Sequence, residues 1–356
     1  EARSTEEGTA PALLRHTDWT DHLVEDVAEL APRLSWQPSA ADSITSQSYV
    51  RRRHIHNVKR ESETLEVGAP TAFPRNGQRF EARPLHRYAD LAWTRKFGGG
   101  ARLSNKLAGF RMRREADFVF HGMDGLDRLR ESHLVASGPV EREWTFSGSW
   151  RQPLWGSHSL AAGWEFGRKD RSEYRRERHL DAEGRQFYTS DEDYFAEVDR
   201  SAFFVQDEWD MGADWSAYLG LRREDLRTTG QGNAAAPVDV DAGAWSPVFQ
   251  LLFKPQQGRE DGKPRDQFRL ALGRTYKAPN IVQLMPRRYT VDNNNSATNP
   301  DLHGNPDLRP EPAASRATSG PTSAGSPTAS ARRSTPSRAP PSPASSPAGA
   351  GHWPPS

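Results

Sequence analysis

The sequence concentrates cationic side chains in two short segments that could bind an anion. The first is Arg51-Arg-Arg-His-Ile-His56, and the second covers residues 171–179. Guanidinium groups bind carboxylates and phosphates through forked hydrogen bonds, so Arg51, Arg52 and Arg53 predict contacts with an anionic ligand. Neighbouring glutamates could instead neutralise these cations at a solvated surface; these are Glu61, Glu63, Glu173 and Glu177.

His54 and His56 are candidate metal ligands, because imidazole is a common ligand of zinc. A zinc site needs at least three protein ligands, and no third partner stands near them in the sequence. We therefore expect both histidines to be exposed residues of a binding loop rather than metal ligands. The tract Asp292–Asn295 lacks the glycine and the closing glutamate of an EF-hand, so it predicts a solvated loop. The sequence predicts no metal site.

Catalytic chemistry finds little support in the residue pattern. Asp207 and Glu208 are the first carboxylates to consider, but adjacent residues of a strand point to opposite faces and cannot form a catalytic pair. The sequence contains no G-x-S-x-G, H-E-x-x-H or P-loop motif. The absence of cysteine excludes a thiolate nucleophile and every cysteine-ligated metal. We expect a protein that is not an enzyme and that needs no cofactor.

Charge and hydropathy limit the remaining classes. Lys+Arg 48 against Asp+Glu 47 gives a net charge of +1, which argues against nucleic acid as a partner. Hydrophobic residues make up 35% of the 356, and no apolar run reaches the length of a membrane-spanning helix. No signal peptide is visible over Glu1–Gly8. A membrane strand needs only about 9–11 residues with alternate side chains towards lipid, so a membrane remains open.

The elements that would position these residues are strands, because apolar residues recur with period two. In residues 144–150, Trp144, Phe146 and Trp150 share one face and Thr145, Ser147 and Ser149 the other. Ten strands are predicted on this basis: Ala31–Trp36, Ile44–Arg52, His86–Phe97, Ala101–Arg113, Glu143–Leu154, His158–Gly167, Tyr194–Asp210, Trp215–Arg227, Ala244–Lys254 and Gln267–Tyr276.

The predicted connections alternate between short and long. The long ones are Arg53–Leu85, Arg114–Arg142, Arg168–Asp193 and Thr228–Gly243. Bacterial membrane barrels have short periplasmic turns and longer extracellular loops, whereas soluble sandwiches have no reason for strict alternation. The pattern predicts an antiparallel transmembrane β-barrel, with the cationic segments in its extracellular loops.

Residues Pro312–Ser356 differ from the rest of the chain. Apart from His352 and Trp353 they consist of Pro, Ala, Ser, Thr, Gly and Arg, a composition that cannot form a packed core. We expect a disordered tail, produced by an altered reading frame or present as a natural linker. The predicted organisation is a partial strand or loop over 1–28, a partial barrel over 29–311 and the tail over 312–356.

Several stretches resemble the TonB-dependent outer-membrane receptors. Ser201-Ala-Phe-Phe-Val-Gln-Asp-Glu-Trp209 is similar to the family's F-x-Q-D-x-W strand, and Tyr218-Leu-Gly-Leu-Arg-Arg-Glu224 to the returning strand. The most specific stretches are Gly273-Arg-Thr-Tyr-Lys-Ala-Pro279, Gln283-Leu-Met-Pro-Arg-Arg-Tyr289 and Gly304-Asn-Pro-Asp-Leu-Arg-Pro-Glu311. The residues that carry the resemblance are Gln206, Asp207, Trp209, Arg274, Tyr276, Pro279, Asn305, Pro306, Asp307, Leu308, Pro310 and Glu311.

The resemblance implies an incomplete barrel, with about ten strands of a larger one. It also implies active uptake of a scarce ligand, typically a ferric siderophore, across the outer membrane. The expected ligand-binding residues then include Arg287, Arg288 and Tyr289 in addition to those of the first cationic segment. The expected partners are this ligand, outer-membrane lipid and, in the full-length parent, the TonB complex.

The plug, the segment that contacts TonB and the last strands of the family are not recognisable in this sequence. An unclosed barrel would expose strand edges to hydrocarbon, so we expect the chain alone not to insert or transport. Two alternatives remain open at this point, a passive porin and a soluble β-rich glycan-binding module or enzyme. Partition into detergent rather than buffer would separate the soluble class from the other two.

Overall fold

The computed structural model describes residues 2–9, 12–254, 267–277, 279, 281–284, 288–289, 302–305, 308 and 311–319. Within them, no helix is both long enough and apolar enough to span a membrane. The one α-helix, α1, is the four-residue segment Ile281–Leu284.

Seventeen strands account for most of the described residues. They are β1 (Ala2–Thr9), β2 (Ala12–Leu30), β3 (Arg33–Trp36), β4 (Asp42–Val67), β5 (Arg75–Ala82), β6 (Leu85–Lys96), β7 (Arg102–Arg113), β8 (Ala116–Met123), β9 (Leu129–Leu154), β10 (His158–Asp181), β11 (Gln186–Asp210), β12 (Trp215–Gly232), β13 (Ala235–Phe253), β14 (Phe268–Lys277), β15 (Arg288–Tyr289), β16 (Leu302–His303) and β17 (Glu311–Ser319). Fifteen of them form one antiparallel sheet, and β15 pairs with β16 in a second. The predicted all-β antiparallel fold class is confirmed.

Three of the strand boundaries are breaks inside continuous paths, and each break involves a proline. Pro32 separates β2 from β3, Pro84 separates β5 from β6, and Pro139 on β9 lies opposite the gap between β7 and β8. Proline has no N–H to donate to the ladder, but its carbonyl still accepts, as in Ser48 N–H to Pro32 O at 3.0 Å. Fifteen strands with three such breaks make twelve continuous paths.

Ten of the twelve paths match the ten predicted strands, and β1 and β17 were missed. The segment 1–28, predicted as a partial strand or loop, contains β1 and most of β2, which pair as a hairpin. At the other end, β17 pairs with β14 from Lys277 opposite Glu311 to Arg269 opposite Ser319. The sheet thus continues past the predicted boundary at Pro312, while the remainder of the expected tail, 320–356, lies outside the described residues.

The prediction of long loops is wrong, because most of the residues assigned to these loops lie in strands. β10 and β11 extend without interruption to a tip at residues 182–185, β9 begins at Leu129, and β4 extends to Val67. The predicted short turns at 37–43, 98–100, 155–157 and 211–214 are found at or within one or two residues of these positions. In the extensions both faces carry charged residues, so the apolar alternation is lost although the backbone ladder continues. We call these segments the outer hairpins.

The sheet has two chemically different faces. The register pairs apolar residues with apolar ones across adjacent strands, so each face continues from strand to strand. On the apolar face, large side chains are exposed to the surroundings rather than packed in a core: Trp144, Trp150, Leu160, Phe203, Val205, Leu219, Leu221 and Trp245 are 37–56% exposed. The opposite, polar face carries mostly charged residues and small ones. A soluble sandwich would bury the tryptophan-bearing face against a second sheet, and this sheet does not.

Candidate ligand-facing surface

The polar face carries a chain of ion pairs across adjacent strands. Glu165 on β10 accepts from Arg200 at 2.5 Å and from Arg222 at 3.4 Å, and Arg222 also donates to Glu224 at 2.8 Å. The buried hydroxyl of Tyr276 adjoins the Glu224 carboxylate. Neither carboxylate is left unpaired, so this part of the polar face is close to neutral.

The outer hairpins continue the same pattern with the second cationic segment. Arg171 donates to Glu141 at 3.3 Å and to Glu173 at 2.7 Å, and Arg175 pairs with Glu177. Burial disfavours the charged form of Arg171, but the two carboxylates outweigh it and raise the pKa of the guanidinium. Here the alternative weighed from the sequence, neutralisation by Glu173 and Glu177, is confirmed.

An aromatic–histidine cluster occupies the polar face beside Arg175; its members are Phe73, Phe120, His133, His179 and Tyr188. The His133 and His179 rings stack with centroids 3.7 Å apart, and Tyr188 contacts His179 at 4.6 Å. Phe120 is 1% exposed and packs against His133 at 5.4 Å. The sequence alone does not indicate this cluster, since only the register brings its members together.

The cationic segment Arg51–His56 lies inside β4, not in a loop, which corrects the expected position. Alternation along the strand places Arg51 and Arg53 on the polar face and Arg52, His54 and His56 on the other. Arg51 pairs with Glu29 and Arg53 with Glu25, which are not the glutamates weighed from the sequence. The segment therefore does not converge on one anion.

No metal site forms around these histidines. His54 Nε2 lies 3.1 Å from Glu81, and among the residues with described side chains no group of three His, Cys, Asp or Glu could hold an ion.

The motif Gln206-Asp207-Glu208-Trp209 distributes its side chains over both faces, as the sequence predicts for Asp207 and Glu208. On the polar face, Gln206 accepts from the Tyr218 hydroxyl at 3.0 Å, and Glu208 pairs with Arg151 at 3.2 Å. On the apolar face, Asp207 contacts His158 Nδ1 at 2.7 Å, and Trp209 stacks on the same imidazole at 5.1 Å. The motif thus ties β11 to β10 and β12.

The remaining motif residues surround the end of β14. Arg274 is exposed and lies opposite Ala314 of β17, and Pro279 is half-buried between β14 and α1. An open cavity of about 820 Å³ spans this part of the sheet. Its lining is mainly the apolar face, with Leu160, Val205, Asp207, Leu219, Leu221, Phe249, Leu272 and Arg274 among its residues.

The backbone forms a turn at Asn305. The Leu308 N–H donates to the Asn305 carbonyl at 3.3 Å, and the Asn305 N–H donates to Gln283 at 2.7 Å. Glu311 begins β17. Arg288 and Tyr289 form β15, of which only the backbone is described. Arg287, Pro306, Asp307 and Pro310 lie outside the described residues.

Comparison with known proteins places this sheet in a family. The family model described as "TonB dependent receptor-like, beta-barrel" matches residues 24–315. A comparison with curated protein sequences found no match. Among solved structures, the unliganded ferric citrate transporter FecA is similar at 12% identity and a TM-score of 0.41.

The alignment with that transporter covers 74% of this chain and 42% of the transporter's chain, so this sequence spans less than half of its length. The family model, in contrast, covers most of the present sequence and includes every ion pair described above. The chain belongs to the TonB-dependent receptor family and comprises part of its β-barrel.

Proposed function

We propose that the protein carrying this chain is an outer-membrane receptor that takes up a ferric siderophore with energy supplied through TonB. The observation that carries the proposal is the contrast between the two faces. One face exposes tryptophan, leucine and phenylalanine side chains over the length of a membrane strand, and the other is lined with ion pairs. An outward apolar band and a polar interior are the properties of a membrane barrel.

The polar face would then meet the ligand through paired rather than free cations. Since Arg175 is held by Glu177, an anionic chelate would bind by competing with that carboxylate for the guanidinium. Selectivity for an anion would depend on how easily such pairs exchange partners. The proposal assigns the chain a role in transport, without a catalytic residue and without a resident cofactor.

A binding titration with two opposite substitutions tests the ligand class. In the protein that carries this segment, Glu177→Gln should free Arg175 and tighten binding of ferric citrate, an anionic chelate. Arg175→Gln should weaken it, and Arg178→Gln, on the opposite face of the same strand, should have little effect. No binding of any anionic ferric chelate, or equal effects of all three variants, would refute the proposal.

A further inference from the structure

Three arginines of the apolar face lie side by side on adjacent strands, and we call them the arginine row. Arg87 on β6 is directly opposite Arg111 on β7, and Arg111 is directly opposite Arg142 on β9. Opposite residues of an antiparallel pair have their Cβ atoms about 4.5–5.5 Å apart, so the row spans roughly 10 Å. All three side chains are exposed.

The row carries excess positive charge. Among the residues that the structure describes, none of the three arginines forms an ion pair, although Arg113 beside them pairs with Glu115 and Arg168 pairs with Glu197. Two carboxylates continue the row beyond Arg142. Asp170 of β10 is opposite Arg142, and Glu197 of β11, which pairs with Arg168, is opposite Asp170. Like charges directly opposite each other destabilise a sheet, so an anion bound along the row would relieve a repulsion built into the fold.

The row lies at a defined depth. Trp144 follows Arg142 by two residues on the same face, and the apolar segment from Trp144 to Leu154 ends β9 at a short turn. That segment has the length of about 9–11 residues that crosses a bilayer as a tilted barrel strand. The outer hairpins begin on the other side of the row. Since the longer connections of membrane barrels are extracellular, the row is at headgroup depth in the outer leaflet.

Apolar side chains adjoin the row on its membrane side. Leu91 is opposite Leu107, and Leu107 is opposite Phe146, on the same three strands and four residues from the arginines. Leu91 and Leu107 are each 54% exposed. Cations at the boundary and exposed aliphatic groups directly below them match an amphiphile with an anionic head and acyl chains.

We propose that Arg87, Arg111 and Arg142 bind the phosphate groups of a glycolipid in the outer leaflet, with its acyl chains against Leu91, Leu107 and Phe146. Guanidinium groups donate in a fork that matches phosphate oxygens, and three of them in a row suit a headgroup with more than one phosphate. This site is separate from the polar face and does not depend on the transported ligand.

Lipid binding to the full chain in detergent micelles tests the site, with diphosphorylated lipid A as the probe. Arg87, Arg111 and Arg142 are changed to Gln together, and a matched triple variant changes Arg79, Arg130 and Arg178, which are exposed on the same face of the outer hairpins. Both variants lose three positive charges. We expect the row variant to bind at least about tenfold more weakly, equivalent to about 1.4 kcal/mol, and the matched variant to bind like the wild type.

Two further arms identify the source of the phosphate. Dephosphorylated lipid A should bind weakly to the wild type, and inorganic phosphate should fail to compete at concentrations near that of the lipid. Equal loss in both triple variants would mean that only net charge matters, and would overturn the site. Unchanged binding in the row variant, equal binding of the dephosphorylated lipid, or full competition by inorganic phosphate would overturn it as well. Circular dichroism of both variants checks that the sheet is intact.

Discussion

The imidazole rings of His133 and His179 stack in parallel across β9 and β10, with their centroids 3.7 Å apart and their planes 3° apart. Each ring has its own carboxylate: His133 Nε2 lies 3.0 Å from Glu131, and His179 Nε2 lies 2.7 Å from Glu177. The stack therefore joins the two strands on the polar face, at a level where no apolar band holds them together.

Replacement of His179 should loosen the outer hairpin. His179→Ala removes the stack with His133 and the contact with Tyr188, and we expect a loss of about 1–3 kcal/mol of local stability. Hydrogen exchange of the backbone amides of β9 and β10 measures this opening. His179→Phe keeps a ring of similar shape and should retain most of the protection; equal exchange in the two variants would show that the stack contributes nothing.

Two hairpin tips share one design, which allows a matched pair of substitutions. Asp127 and Gly184 occupy the same position of the turns 124–128 and 181–185, at φ 60° and 78°. A Cβ on Gly184 would meet nothing within 4 Å, so Gly184→Ala should cost about 1–2 kcal/mol from backbone strain alone. Asp127→Gly should instead stabilise the fold by relieving the strain at a positive φ. The loss of the ion pair with Arg75 should reduce this gain. Thermal denaturation in detergent compares them, and a loss in both would contradict the strain argument.

Acid should disorder the same tips. Hydrogen bonds from the Arg128 and Leu126 amides, aided by the Arg128 guanidinium, lower the pKa of Asp124, and the Arg185 amide and side chain do the same for Asp181. A folded pKa below the unfolded value means that the stabilisation is present above about pH 4 and is lost as the pH falls through the folded pKa. Amide exchange of Leu126 and Arg128 should rise in that window, whereas Asp124→Asn should show no such titration.

The parts of the fold that the sequence predicts are those where one face meets an apolar phase. Trp144, Phe146 and Trp150 alternate with small polar residues, so the hydropathy pattern predicts this part of β9. The hydropathy pattern does not predict residues 129–143 of the same strand, since ion pairs such as Arg171 with Glu141 take the place of apolar contacts there. Period-two hydropathy then carries no signal, and the sequence predicts a loop where the strand in fact continues.

Site prediction was limited by register. Their adjacency in the sequence predicts one cluster of Arg51, Arg52 and Arg53, whereas a strand places Arg52 on the face opposite Arg51 and Arg53. His133 and His179 are 46 positions apart in the chain and meet only because Leu134 pairs with Arg178 and each following pair keeps that register. Single residues and their spacing contain no information of that kind.

Close packing of β9, β10 and β11 depends on Gly163. A Cβ there would come within 2.3 Å of the Phe204 ring and 2.7 Å of the Gly148 carbonyl oxygen, and a backbone atom cannot yield as a flexible side chain can. Gly163→Ala should therefore destabilise the sheet by about 1–3 kcal/mol. Gly109→Ala is the control, since a Cβ at Gly109 on β7 meets nothing within 4 Å. Urea denaturation of both variants, followed by tryptophan fluorescence, would contradict the packing argument if the two midpoints were the same.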